Sequence, residues 1–200
     1  MLVLGVVRQR GRIHGYGVQR ELAAWRVETW TRVRPGSLYH ALRQLTQEGK
    51  LRVAVGVEGD PGQGRPVYEI TSTGLVELVE LVERALTSVD PEQLSAGLAC
   101  SPALPGDRVL ELLRDQHRAV TANARRLGQL VPEFPDRHLP PHQADLLALW
   151  HGLLATTADW TAGLIERLER ETVAPPAADP VTSAEREDGS ANHGSGAAPH

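Results

Sequence analysis

Residues 34–45 read RPGSLYHALRQL. Pro35 and Gly36 stand ahead of a helix-like run in which Leu38, Ala41, Leu42 and Leu45 recur at steps of three and four. Such steps put the apolar side chains on one stripe of a helix. The other side carries Ser37, His40, Arg43, Gln44 and Gln47, and the first acid, Glu48, comes only at the end. A stripe of hydrogen-bonding groups and a cation, kept clear of acids, suits contact with a polyanion. Proline is tolerated at the first helical position because its missing N–H would have no partner there. The run therefore predicts a helix from about Pro35 to Glu48, stopped at Gly49.

Upstream, Met1–Arg10 is a short apolar run that predicts a buried helix, closed by the breaker GRIHGYG. The residues from Ile13 open a second helix through Trp25, with Tyr16, Val18, Leu22 and Trp25 facing the core. Downstream, LRVAVGV alternates Leu51, Val53, Val55 and Val57 with small or charged residues, the pattern of a half-buried strand. EGDPGQG is a turn-rich loop, and RPVYEI is a second strand with Tyr68 and Ile70 on one face. Three helices followed by a two-stranded hairpin is the order of a winged helix-turn-helix. In that arrangement Leu38, Leu42 and Leu45 pack on the first two helices, and the polar stripe is free to enter a major groove. There Arg can bond guanine, Gln can pair with adenine, and Ser can reach a phosphate or a base edge. The helix N-terminus, with its free N–H groups, is a further phosphate anchor.

Beyond the wing, Thr71 caps a fourth helix, TSTGLVELVELVERALTSV, that is apolar around much of its circumference and calls for cover on more than one side. Asp90-Pro91 is a cap-plus-proline start for a short helix ending near Ala99. From Asp107 to Leu130, Val109, Leu113, Gln116, Val120 and Leu127 mark an apolar seam. PEFPDRHLPP breaks the run. From His142 to Glu171 a second long amphipathic helix is marked by Leu146, Leu149, Trp150, Leu153, Thr157, Trp160, Leu164 and Leu168. The two long helices should pack as an antiparallel hairpin. Past Thr172 the sequence is rich in Ala, Pro, Gly and Ser without periodicity, as in a disordered tail. The expected organisation is a winged helix-turn-helix over 1–72, a helical dimerisation and effector region over 73–172, and a tail over 173–200. The fold class is mainly α, with a small β-hairpin wing.

Composition fits this division. The net charge of −4 conceals eleven Lys/Arg against six Asp/Glu in residues 1–72, and ten against nineteen in the remainder. A basic module joined to an acidic one suits a polyanionic partner for the first. The single Cys100 excludes an intrachain disulfide framework. No stretch approaches membrane-spanning length, and the opening MLVLGVV lacks the leading positive charge of a secretory signal. A cytoplasmic protein without membrane contact is expected.

Three strings, HGYGVQREL, RPGSLYHALRQLTQEGKL and GRPVYEITSTG, in this order and spacing, resemble the PadR family of bacterial transcriptional regulators. That family is marked by HGY opening the second helix, PGSLY opening the recognition helix, and GRPxxY with a following threonine on the wing. The resemblance implies a homodimeric winged-helix protein that represses a promoter through an inverted repeat of double-stranded DNA, often released by a small-molecule effector. It further implies dimerisation through C-terminal helices, of which this chain has the longer set. Carried over by position, Ser37 and Tyr39 lie at DNA backbone or bases, and Arg65 on the wing lies near phosphate or the minor groove. Arg34 replaces a common capping Ser or Asn and adds a cation beside the DNA. His40 stands where proline is common, and either base contacts or a mild pH dependence is expected of it. With Arg43 and Gln44 from the polar stripe, these are the expected DNA-binding residues.

Trp150 and Trp160 are the candidate effector residues, since flat aromatics stack on planar organic molecules. Packing in a core or dimer seam is the competing reading for both. His138 and His142 are four apart, but Pro140 and Pro141 between them prevent the helical geometry of a metal pair. HGYG does not follow a strand, so it is no nucleotide-phosphate loop. Neither a nucleophile–base pair nor a cofactor motif is visible, and no metal, cofactor or enzyme activity is expected. A winged-helix module that binds protein instead of DNA is the alternative reading.

Overall fold

Leu4, Val6 and Val7, each at most 1% exposed, bury helix α1 (Leu2–Arg10) at the centre of the first half of the chain. The computed structural model describes residues 1–31, 37–54, 66–130 and 141–173. Strand β1 (Ile13–His14) leads into α2 (Gly15–Ala24), and a 3-10 turn (Val27–Thr29) follows. Helix α3 (Leu38–Gln47), strands β2 (Leu51–Ala54) and β3 (Val67–Ile70), and helix α4 (Ser72–Leu86) complete this half. After it come α5 (Pro91–Ala99), α6 (Gly106–Leu130) and α7 (Pro141–Val173). Pro35, Arg34, Val55, Val57, Arg65, His138 and the tail beyond 173 lie outside the described residues.

The wing sheet has three strands in the order β1-β3-β2, both pairings antiparallel. The expected hairpin is thus joined by Ile13 and His14, which pair with Tyr68 and Val67. Arg12, just before β1, and Arg52 on β2 both bind Glu69 on the central strand. This row of opposite charges ties the three strands together. Tyr68 is buried on the inner face as expected, and Leu51 beside it is buried as well. Val53, expected to be inward, is half exposed. β2 is an edge strand, where burial follows helix cover and not the pleat alone.

Val18 and Leu22 of α2 are buried, and Trp25 packs partly covered against the same core. Tyr16, expected in that core, is 58% exposed. The reason is that Tyr16 lies two residues before the buried Val18, about 200° round the helix, so with Val18 inward it faces solvent. Arg26 adopts a left-handed φ of 50° to turn the chain after α2, and its carbonyl accepts the Thr29 hydroxyl at 2.8 Å. Both expected caps form: Thr71 Oγ1 accepts from Gly74 N, and the Asp90 side chain from Glu92 N. Cys100 is fully buried against α1 where Gly5 leaves room for its sulfur, and burial pushes its thiol up to about 11.

Helices α6 and α7 pack as the antiparallel hairpin the sequence predicts. Val109, Leu110, Leu112 and Leu113 join one end of it to the main core, together with Ile165. Arg108 Nε reaches Glu83 of α4 at 2.8 Å, and Arg114 pairs with Glu169 at 2.5 Å. The α7 seam covered by α6 differs from the one expected. It runs through Leu147, His151, Leu154, Ala158, Thr161 and Ile165, alternating steps of four and three. His117 Nδ1 lies 3.1 Å from the Ala158 carbonyl in this seam. Leu146, Leu149, Trp150, Leu153 and Trp160 are between 47 and 59% exposed.

Candidate nucleic-acid interface

Helix α3 is seated by its apolar stripe. Leu38 and Leu42 are buried, and Leu45 packs against the same core. At about 100° per residue, Tyr39, Arg43, Gln47, His40 and Gln44 occupy the far arc, and all five are exposed. Ser37 is exposed at the N-cap, and the first turn contains no acid. The partial positive charge of the helix N-terminus is therefore left uncompensated within the helix. Arg43 forms no ion pair with any described residue.

Tyr39 shows how two of the sequence strings depend on each other. A side-chain carbon added at Gly15 would stand 3.0 Å from Tyr39 Cε1 and 3.3 Å from Leu42 Cδ1. The bare Gly15 backbone is thus the seat on which the Tyr39 ring and Leu42 rest. Half of Tyr39 remains exposed, so the ring serves packing while the rest of the side chain faces outward. Gly17 acts in the same way for Ile13, whose Cγ1 would stand 2.7 Å from an added carbon. The HGYG string is therefore a packing device for β1 and α3. Tyr16, exposed at the start of α2, is a candidate contact that the sequence reading assigned to the core.

Gln44 lies at the border of the arc. Its Nε2 donates to Glu48 Oε1 at 2.9 Å, and it also lines a cavity. The Glu48 carboxyl is held below the usual range, first by the Lys50 ammonium and then by Gln44. The cavity, of about 860 Å³, lies between α1–α3 and α4–α5, with Leu22, Leu38 and Leu81 among its apolar walls and Gln19, Gln44 and Arg84 among its polar groups. Its volume is in the range of small-molecule sites. Trp150 and Trp160 do not line it. They stand on the exposed seam of α7. Arg34 and Arg65 lie outside the described residues, as does His138.

A polar helix seated on two others beside a three-stranded antiparallel wing is a winged helix-turn-helix. Residues 3–80 match the model of the transcriptional regulator PadR-like family. That family is described as one of transcriptional regulators. Among solved structures, the chain is similar to Bacillus subtilis PadR in complex with operator DNA, with 19% identity, a TM-score of 0.36, and coverage of 84% of this chain and 97% of that one. It is similar to the PadR-like regulator BC1756 from Bacillus cereus at 16% identity and a TM-score of 0.36, covering 84% and 96%. Bacillus subtilis PadR in complex with p-coumaric acid follows at 19% identity and a TM-score of 0.33, covering 84% and 96%. No curated protein matches the chain. Among the described residues, no helix is long and apolar enough to cross a membrane.

Proposed function

We propose that the chain is a homodimeric repressor that binds an inverted-repeat operator and leaves it when a small molecule binds. One observation carries this reading: the exposed, acid-free arc of α3 behind its buried Leu38 and Leu42. Ser37, Tyr39, His40, Arg43 and Gln44 act at base edges and phosphates from that arc. Arg34 ahead of the helix and Arg65 on the wing add phosphate contacts. Residues 1–72 form the DNA-binding unit, and 73–172 form the dimerisation and effector region.

The exposed seam of α7 supports the dimer. Leu146, Trp150, Leu153, Thr157 and Trp160 alternate steps of four and three, the repeat of a helix that packs on another helix. Helix α6 covers the neighbouring seam, so the second seam takes a second copy. A soluble helix does not keep such a stripe in water without a partner. Two recognition helices held by one dimer meet successive major grooves, which requires a pseudo-palindromic site.

For the effector, the cavity is favoured over Trp150 and Trp160. A molecule there touches Leu38 and Gln44 of α3 on one side and Leu81 and Arg84 of α4 on the other. Only a ligand with different affinity for two arrangements of these helices shifts the DNA equilibrium. The test is fluorescence anisotropy on the duplex upstream of the protein's own gene and on a scrambled duplex, at two salt concentrations. Tight, selective, salt-sensitive binding that Ser37→Ala/Arg43→Ala loses is the expected result. Equal weak binding to both duplexes would favour the protein-interaction module.

A further inference from the structure

The recognition helix and α4 meet at one small junction, although the whole wing separates them in sequence. Helix α3 ends in the turn Glu48–Gly49–Lys50, with Gly49 at φ 69°. Thr71, the cap of α4, places its hydroxyl 2.7 Å from the Gly49 carbonyl oxygen and 3.1 Å from that of Lys50. Its backbone N–H donates to the Lys50 carbonyl at 3.1 Å, and its Oγ1 accepts from Gly74 N at 3.1 Å. Gly74 is pressed so closely on this turn that an added side-chain carbon would overlap the Lys50 carbonyl oxygen. The Lys50 ammonium then bridges Glu48 at 2.9 Å and Glu77 of α4 at 3.1 Å.

The Thr71 bonds to Gly49 and Lys50, the Gly74 approach and the Lys50–Glu77 pair join the end of α3 directly to the first turns of α4. Helix α4 is tied onward to α6 by Arg108 and Glu83. We propose that this junction is a rigid joint in which Lys50 and Thr71 are positioning residues, setting the half-site spacing that the dimer accepts. The proposal rests on the DNA-binding dimer argued above. A point-like ammonium suits the role, because it can satisfy carboxylates from two elements at once without a planar fork to align. With the joint closed, the angle between α3 and the dimer seam is fixed. With it loosened, each recognition helix can pivot to meet a misplaced half-site.

The test uses the full chain and duplexes that it selects from a random pool. The selected site is remade with its half-sites one base pair closer and one base pair further apart. Anisotropy titrations then compare wild type with Lys50→Gln, Glu77→Gln and the double variant. Wild-type affinity should fall about tenfold or more with either change, since helical phase and separation are lost together. Each single variant should flatten that dependence, and the double variant should flatten it no further, because both substitutions break one tie. Thr71→Ser, which keeps the hydroxyl, should retain the wild-type profile, and Thr71→Val should not. Thermal midpoints separate a loosened joint from a damaged fold. An equal loss at every spacing, an unchanged profile, or a wild type indifferent to spacing overturns the proposal. A wild type that selects no duplex overturns the DNA reading, and the joint with it.

Discussion

Two helices of this molecule leave one face in water, and the faces differ in kind. Helix α3 buries Leu38 and Leu42 and exposes Tyr39, His40, Arg43, Gln44 and Gln47. Helix α7 buries Ala158, Thr161 and Ile165 and exposes Leu146, Leu149, Trp150, Leu153 and Trp160. A polar face is stable in water and can wait for a partner that comes and goes. An apolar face of this extent gains on the order of 25 cal/mol for each Å² covered, which favours a lasting partner. In the proposed dimer, the contrast would separate a transient interface from an obligate one within a single chain.

Putting charge into the apolar face should have the largest effect. Trp150→Glu/Leu153→Glu is expected to give a monomer in sedimentation equilibrium. DNA affinity should fall by about 10²–10⁴-fold as the two half-sites lose their linkage. A dimer that tolerates both charges would place the obligate interface elsewhere. The polar face should behave in the opposite way. Arg43→Ala should cost about 1–3 kcal/mol of discrimination at one base position and leave the sedimentation profile unchanged. If the loss is instead the same for every sequence, Arg43 touches phosphate and not a base.

The seat beneath the polar face gives a sharper test. Gly15→Ala pushes a methyl group into the Tyr39 ring and Leu42, an overpacking that costs about 1–3 kcal/mol in the folding free energy. Urea midpoints would measure it, and Tyr39→Ala in the same chain should recover part of the loss. Additive effects would mean that the ring does not rest on Gly15.

The smallest expected effect lies on the wing. Arg12 first, and then Arg52, hold the Glu69 carboxyl below its usual 4.5. A carboxyl lowered in the folded state adds stability above its unfolded value and loses it as pH falls through the folded one. Wild type should therefore lose stability more steeply than Glu69→Gln on acidification below about pH 4.5. Both should behave alike near neutrality in pH dependence. Parallel curves through the acid range would show that the charged row contributes nothing to the wing.

Much of α3 could be read from sequence because its evidence is local: the spacing of Leu38, Leu42 and Leu45, and the delay of the first acid to Glu48. The caps Thr71 and Asp90 were equally legible, since each acts within its own first turn. Strand β1 was not, because two residues carry no periodicity and pair only with a strand far along the chain. Tyr16 is apolar enough to suggest a core place, but its two-residue spacing from Val18 puts it on the opposite side of α2. On α7, two apolar seams lie side by side, and periodicity alone does not say which one α6 covers. The cavity has no local signal at all, being assembled from five helices. Of the expected site, Gln44 gained a partner in Glu48 that only the structure reveals.

Lys50 has a practical consequence. It is the one lysine in 200 residues, and the hydrogen bonds it donates to Glu48 first, then Glu77, raise its ammonium above the usual 10.5. Only the neutral amine attacks an acylating reagent, so the side chain reacts slowly while both carboxylates hold it. It reacts faster whenever Glu77 of α4 lets go. The rate at which a single mass increment accumulates on this side chain is therefore a clock for the parting of the two helices, readable on the unaltered protein without any engineered label.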